Sequence, residues 1–249
     1  MNRLLVHRRD CAPDGTLRLS GRRAVHIRDV LHAAPGDEIR AGFLGEGGAV
    51  ATVLGFEGDE CLLRLRDDPD AALPPAPTVD LLLAMPRPRF LQRILPQIAT
   101  LGVRRLFLTN AERVEPYYFA THLLAGDALF GLLREGLEQA HDPRIPDVVP
   151  VRAHYRRFWA ETLAPAYAPG HKILAHPGPL SPPSAIPGGT APLLLAIGAE
   201  GGWTDPEVAL FDSLGFSRFS AGDRILRTDT ACAGLLALVH YLRAQGATP

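Results

Sequence analysis

The sequence predicts an α/β protein in two parts, a small β-rich domain followed by a mainly parallel sheet flanked by helices. Three observations carry this. A proline-rich stretch bounded by acids, "DDPDAALPPAPTVD" at 67–80, has the composition of a linker. Before it, short apolar runs such as "GAVATVLGFEGDECLLRLR" alternate with glycine turns, as in a small barrel or sandwich. After it, apolar runs of strand length alternate with helical patterns, the rhythm of helices covering a parallel sheet. The domains are therefore drawn as 1–72 and 73–249.

Taken in order, "PGDEIRAGFLGEGG" reads as strand, turn and strand. "RRAVHIRDVLHA" is the one helical stretch of the first part, with Val25, Val30 and Leu31 on a shared inner face and Arg22, Arg23, His26 and Arg28 outside. "VDLLLAMP" is a buried strand, and "FLQRILPQIATLG" a helix broken at Pro96 and stopped at Gly102. "VRRLFLTN" is the next strand and "LLAGDALFGLLREGLEQAH" a long amphipathic helix. "HKILAHP", "PLLLAIGAEGG" and "FSRFSAG" supply three more strands, with helices at "PEVALFDSLG" and "RTDTACAGLLALVHYLRA".

Composition limits the functions available. A chain of 249 residues, 47% hydrophobic and 21% charged, can bury one large core or two smaller ones. No apolar run approaches membrane-spanning length, and the basic start lacks a leader-like core, so a soluble, unprocessed protein is expected. Cys11, Cys61 and Cys232 are odd in number and far apart, which suits the reducing cytoplasm better than a disulfide framework or zinc site. A net charge of −1 advertises no nucleic acid, so any basic footprint must be local. Lys172 is the sole lysine, and the arginines are scattered in the manner of a compositional bias. His171 and His176 flank a strand on opposite faces, and no metal site is expected.

In open α/β sheets, ligands gather beyond the carboxyl ends of strands. Three such ends carry distinctive punctuation: "AHPG" at 175–178, "IGAEGG" at 197–202 and "SAGDRILRTDTA" at 220–231. Gly198, Gly201 and Gly202 permit positive φ and close backbone approach. Thr204 and Glu207 fit a capping box, with Pro206 in the first turn of the following helix. Glu200 argues against a phosphate loop, because a carboxylate in the cradle repels an anion, and neither the P-loop nor the dinucleotide fingerprint occurs. Glu200 suits a zwitterionic or cationic ligand such as S-adenosylmethionine, or else caps a local amide.

Together, "IGAEGG" and "GDRILRTDTA" resemble the C-terminal signature of the RsmE family, the 16S ribosomal RNA (uracil-N3)-methyltransferases of the SPOUT superfamily. "HIRDVLHAAPGDEIRAG", "IATLGVRRLFLTNAERV" and "EGLEQAHDPRIPDV" extend the resemblance along most of the chain. It implies a PUA-like β-barrel that binds RNA, a SPOUT domain with a C-terminal trefoil knot, S-adenosylmethionine bent within that knot, and a homodimer acting on 16S ribosomal RNA of the small subunit. The implied cofactor contacts are His176 and Pro177, then Ile197, Gly198, Glu200, Gly201 and Gly202, and finally Ala221, Gly222, Ile225, Leu226 and Arg227. Departures from the family pattern are Ala199 for proline, Ala221 for leucine and Asp229 for glutamate. Upstream, "MPRPRF" lacks the lysine-glycine motif, and Thr100 stands where the family has glutamate.

Methyl transfer to uracil N3 requires N3 to lose its proton and lie on the methyl axis. An arginine aimed at a uracil carbonyl stabilises the resulting anion, and Arg227, with Arg224 as second candidate, suits that task. Asp229 either accepts the proton or caps the first turn of the last helix. For gripping RNA, the candidates are Arg22, Arg23, His26 and Arg28 in the first domain and Arg87 and Arg89 in the second. N3 lies on the pairing edge, so the base must be unpaired, and Phe90, Tyr117, Tyr118 or Trp203 can stack on it or pack internally. Two other readings stay open: a SPOUT enzyme acting on another RNA, and an inactive RNA-binding or ribosome-assembly protein.

Overall fold

The computed structural model describes residues 3–246. The chain divides into two compact units, one running to Pro75 and including Arg134–Ile145, the other made of Ala76–Leu133 and the chain from Pro146 onward.

The first unit is a curled five-stranded sheet formed by β1 (Leu4–Val6), β2 (Thr16–Ser20), β3 (Glu38–Phe43), β4 (Gly47–Glu57) and β5 (Glu60–Asp67), in the order β1-β3-β4-β5-β2. All pairings are antiparallel except β1 with β3. Alternation along β4 places Ala49, Ala51 and Val53 inside until a register shift between Val53 and Gly55 bends the strand. Gly48 is required by a close approach, since a Cβ there would lie 2.2 Å from that of Ala71. Segment 134–145 is tied in by Gly45 N–H donating to the Pro143 carbonyl at 2.9 Å and by Leu5 N–H donating to Glu138 at 3.3 Å. Arg144 donates to the carbonyls of Pro74 (2.5 Å) and Pro75 (3.2 Å), so this part of the linker is pinned.

The first helix departs from the inner face that its sequence predicts. Helix α1 (Arg22–Val25) runs into a wider turn at His26–Val30, and its buried side chains are Ala24 and Ile27. Val25, Val30 and Leu31 are exposed. The widened turn shifts the angular phase, so a face drawn with 3.6 residues per turn falls on the wrong side.

In the second unit β6 (Val79–Ala84), β7 (Arg105–Thr109), β8 (Asp147–Val151), β9 (Lys172–Ala175), β10 (Leu193–Ile197) and β11 (Ser217–Phe219) form one sheet in the order β11-β9-β10-β6-β7-β8. Every pairing is parallel, so the strands' carboxyl ends share one edge. The central β6 and β10 are buried along their whole length, which is why their sequences run apolar without alternation. β8 escapes sequence detection because Pro150 interrupts its pattern; as the terminal strand it has a free edge, where proline is tolerated.

The helices are α2 (Pro88–Leu101), α3 (Gly126–Ala140), the short α4 (Tyr155–Phe158), α5 (Asp205–Ser213) and α6 (Thr228–Gln245), and α2 packs on α6. α2 continues through Pro96 where a break was expected, and burial of Leu91, Ile94, Leu95 and Ile98 offsets the missing hydrogen bond. It stops at Gly102, whose φ of 85° suits glycine. At the far end of the sheet, buried Asp80 accepts from Arg104 (2.9 and 2.5 Å), Arg105 (3.2 and 3.0 Å) and the Tyr167 hydroxyl.

Candidate functional site

The tips of β9, β10 and β11 meet at one cavity of about 330 Å³. That volume lies within the range of small-molecule sites, roughly 300–1,000 Å³. Parallel pairing brings the tips together: His176 N–H donates to the Phe219 carbonyl at 3.1 Å and Ser181 N–H to that of Ser220 at 3.0 Å. Ser220 is buried and works as a clasp, its amide donating to Ser181 Oγ (3.0 Å) and its hydroxyl to the Gly178 carbonyl (2.6 Å).

The 197–202 turn supplies one wall through Ile197, Gly198, Glu200, Gly201 and Gly202. It is folded so tightly that a Cβ on Gly198 would stand 3.1 Å from Gly202 Cα and 3.3 Å from Trp203 N. Gly202 has φ 65°, which an L side chain resists. Glu200 accepts the Arg87 amide at 3.2 Å, so it caps an amide at the start of α2 while also lining the cavity. α5 starts as anticipated, with Glu207 accepting the Thr204 amide at 2.9 Å, and the same carboxylate accepts Glu112 N–H at 2.8 Å.

His176 and Pro177 form a second wall, and Ala221, Gly222, Arg224, Ile225 and Leu226 a third. Gly222 has φ 116°, and Ile225 lines the cavity while 86% exposed. Arg227 does not line the cavity. It is the residue preceding α6, and its guanidinium carbon lies 5.2 Å from the centre of the Phe90 ring. Its nitrogen is 3.4 Å from Asp229, whose nearly buried carboxylate also pairs with Arg93 at 3.0 Å and accepts the Thr230 amide at 3.0 Å. Phe90 and Arg93 stand one turn apart on α2.

Arg113, Ser220 and Thr228 line the cavity without having been predicted from sequence, and Trp203, a candidate for base stacking or internal packing, lines it as well. Ser220 and Thr228 lie inside the 220–231 motif, but Arg113 carries no local signal; it arrives because its guanidinium donates to the Gly201 carbonyl at 2.5 Å. Trp203 packs edge-on against Trp159 and Phe211, with ring centres 5.5 and 5.0 Å away, which explains why it is buried. Tyr118 is also buried, whereas Tyr117 is exposed and Phe90 half-buried.

The basic candidates differ in availability. Arg87 and Arg89 are exposed near the start of α2, and Arg22 is exposed on α1, with His26 half-buried. Arg28 is drawn to Asp29 (2.8 Å) and the Gly58 carbonyl (3.0 Å). Arg23 turns inward to the Leu5 carbonyl (2.9 Å) and Glu138 (3.5 Å), and its pKa is lowered, first by burial. That is the position of an internal brace, with the guanidinium engaged by a carbonyl and a carboxylate. Burial pushes the Glu138 carboxyl up in turn, although the Leu5 amide and Arg23 oppose it. Among the described residues no group of His, Cys, Asp or Glu is placed to hold a metal, and no helix is long and apolar enough to cross a membrane.

The RNA methyltransferase domain family matches residues 74–240. The chain is 31% identical over 228 residues to the ribosomal RNA small subunit methyltransferase E of Treponema pallidum (strain Nichols), covering 88% of this chain and 84% of that protein. Among solved structures, a ribosomal RNA small subunit methyltransferase E from Neisseria gonorrhoeae bound to S-adenosyl methionine shares the fold with a TM-score of 0.72 at 19% identity, over 97% of this chain and 98% of that one. A Legionella pneumophila protein solved with bound SAM aligns with a TM-score of 0.73 at 20% identity, over 96% and 97% of the two chains. With the domain matched across most of the chain and a curated relative aligned along most of its length, this protein belongs to the RsmE family of RNA methyltransferases.

Proposed function

We propose that the protein transfers a methyl group from S-adenosylmethionine to N3 of an unpaired uridine in 16S ribosomal RNA of the small subunit. The observation that carries this reading is the meeting of three strand tips at one cavity with a carboxylate, Glu200, in its wall and an arginine, Arg227, just outside it. The names of the Treponema and Neisseria proteins, and the cofactor bound to the latter, point the same way.

The cavity fits the donor. Its walls join apolar side chains, Ile197, Phe219, Ile225 and Leu235, to main chain at Gly198, Gly201, Gly202 and Gly222, and Glu200 supplies the negative charge that a sulfonium and ammonium favour. When bound, S-adenosylmethionine supplies an electrophilic methyl group and leaves as the neutral thioether. The protein's own part is to orient the acceptor and hold its charge: N3 gives its proton to solvent water, and Arg227 or Arg224 donates to a uracil carbonyl while N3 is anionic. Asp229 acts as an anchor for arginine side chains, since three donors already surround its carboxylate. Arg22 and His26 in the first domain and Arg87 and Arg89 in the second give phosphate contacts that position the RNA.

The finer architecture belongs to the same proposal: a PUA-like domain over 1–72, a methyltransferase domain over 73–249, a trefoil knot at the C-terminus, a homodimer and a cytoplasmic location. Support for the knot is that segment 176–192 is gripped at both ends of the last segment. Ser181 bonds Ser220, and Arg243 donates to the carbonyls of Pro187 (3.1 Å), Gly189 (2.6 Å) and Ala191.

Deleting the gene is expected to remove 3-methyluridine from small-subunit RNA, with restoration by the wild-type gene; a nucleoside digest analysed by mass spectrometry reads this, and unchanged 3-methyluridine would overturn the assignment. Gly198→Val is expected to weaken S-adenosylmethionine binding by about 10- to 100-fold, because overpacking a tight turn typically costs ~1–3 kcal/mol. Isothermal titration checks it, and an unchanged Kd would move the cofactor away from this cavity.

A further inference from the structure

α2 carries a cluster that the glycine-loop reading leaves unexplained. Asp229 is 5% exposed, yet Arg93 and Arg227, which converge on it, are well exposed, at 58% and 63% of their side chains. Arg93 holds the shorter contact, 3.0 Å against 3.4 Å. One turn earlier on the same helix, Phe90 lies against Arg227, with Arg89 at 4.8 Å from the same ring. Arg227 is thus fixed from two sides, by a carboxylate and by an aromatic ring.

We infer that Phe90 and Arg93 of α2 are positioning residues that set the direction of the Arg227 guanidinium, Arg93 acting through Asp229. The inference rests on the proposed role of Arg227. Without Arg93, Arg227 is the one guanidinium left on Asp229 among the described residues. A fully formed Arg227–Asp229 fork would pull Arg227 toward the helix and off the face of Phe90. With Arg93 occupying Asp229, Arg227 makes one long contact and keeps its remaining N–H groups for an acceptor. Among the described residues, Arg227 meets Asp229 on α6, while from α2 Arg93 shares that carboxylate and Arg89 shares the Phe90 ring.

The test compares Arg93→Ala, Arg93→Lys, Phe90→Leu and Arg227→Ala as full-length proteins. Methyl transfer to small-subunit RNA by Arg93→Ala is expected to lose about 10- to 30-fold in kcat, with KM for RNA and Kd for S-adenosylmethionine within about twofold. Arg93→Lys restores at least half of the loss. Adding Arg93→Ala to Arg227→Ala has little further effect, because the two act through one group. A second readout needs no RNA: the Arg227 side-chain Nε–H resonance, assigned by its disappearance in Arg227→Ala, should shift in Arg93→Ala and in Phe90→Leu. Unchanged kcat with a raised KM and a shallower salt dependence would make Arg93 a phosphate contact and overturn the inference, as would an unmoved Arg227 resonance or fully additive losses. Should wild-type protein methylate no small-subunit RNA, the proposed function fails, while the resonance still decides the positioning.

Discussion

Arg227→Ala is expected to lower kcat for methyl transfer by about 100- to 1,000-fold, the usual effect of removing one donor that faces a developing anion. On the proposed role of Arg227, the loss should be confined to the chemical step. Arg227 precedes the first residue of α6, makes no wall of the cavity and is 63% exposed along its side chain. Its deletion therefore leaves the cofactor walls intact, and Kd for S-adenosylmethionine should change less than threefold. Because N3 of uracil attacks as the anion, raising the pH supplies part of what the guanidinium provides, and the deficit of Arg227→Ala should shrink as pH rises. Single-turnover assays across pH 7 to 9 measure this. A deficit that is constant with pH and appears wholly in KM would reassign Arg227 to RNA grip.

Asp80→Ala has its large effect on stability. Asp80 is 0% exposed as a side chain, and Arg104 and Arg105, 39% and 35% exposed, close on it with the Tyr167 hydroxyl. Burial opposes its charge, but hydrogen bonds from Arg104, Tyr167 and Arg105 together outweigh burial and hold its pKa below the usual carboxylate value. Tyr167 is raised, by burial first and by Asp80 second. Removing the acid leaves two partly hydrated guanidinium groups facing each other, at a cost of ~2–4 kcal/mol, less than for a fully buried pair. The sign with pH follows from the lowered folded-state pKa. The advantage of the wild type is complete above the unfolded value of about 3.9 and is lost as pH falls from there through the folded-state value. Urea melts of both proteins at pH 7, 5 and 3.5 should show a gap that is constant between the first two and narrower at the third. Asp80 lies at the amino end of β6, and the cavity lies at the opposite strand ends, so activity below the melting range should be unaffected.

Asp80 and Arg227 also mark where sequence reading stops. Arg104 and Arg105 sit in the same arginine-rich stretch as Arg87, Arg89 and Arg93, and nothing local distinguishes them. The fold turns the first two onto a buried carboxylate 24 and 25 residues away in the chain. Arg23 is similar, occupied by a carbonyl 18 residues away and by Glu138. A basic residue's role depends on which acid stands within reach, and that is a property of distance in space.

Periodicity and punctuation, in contrast, are encoded residue by residue. The apolar runs of β6 and β10, the stop of α2 at Gly102 and the Thr204–Glu207 cap follow from rules acting over a few neighbours, so all are legible in the chain. So are the three glycine-marked strand ends, since a parallel sheet sends them to one edge. Short or atypical elements are not: β1 has three residues, β8 contains Pro150, and the inner face of α1 moves because the turn that continues it, His26–Val30, is wound more loosely. The meeting of Arg93, Asp229, Arg227 and Phe90 is likewise absent from any local pattern, because it joins α2 to the start of α6 across more than a hundred residues and exists only once the two helices pack together.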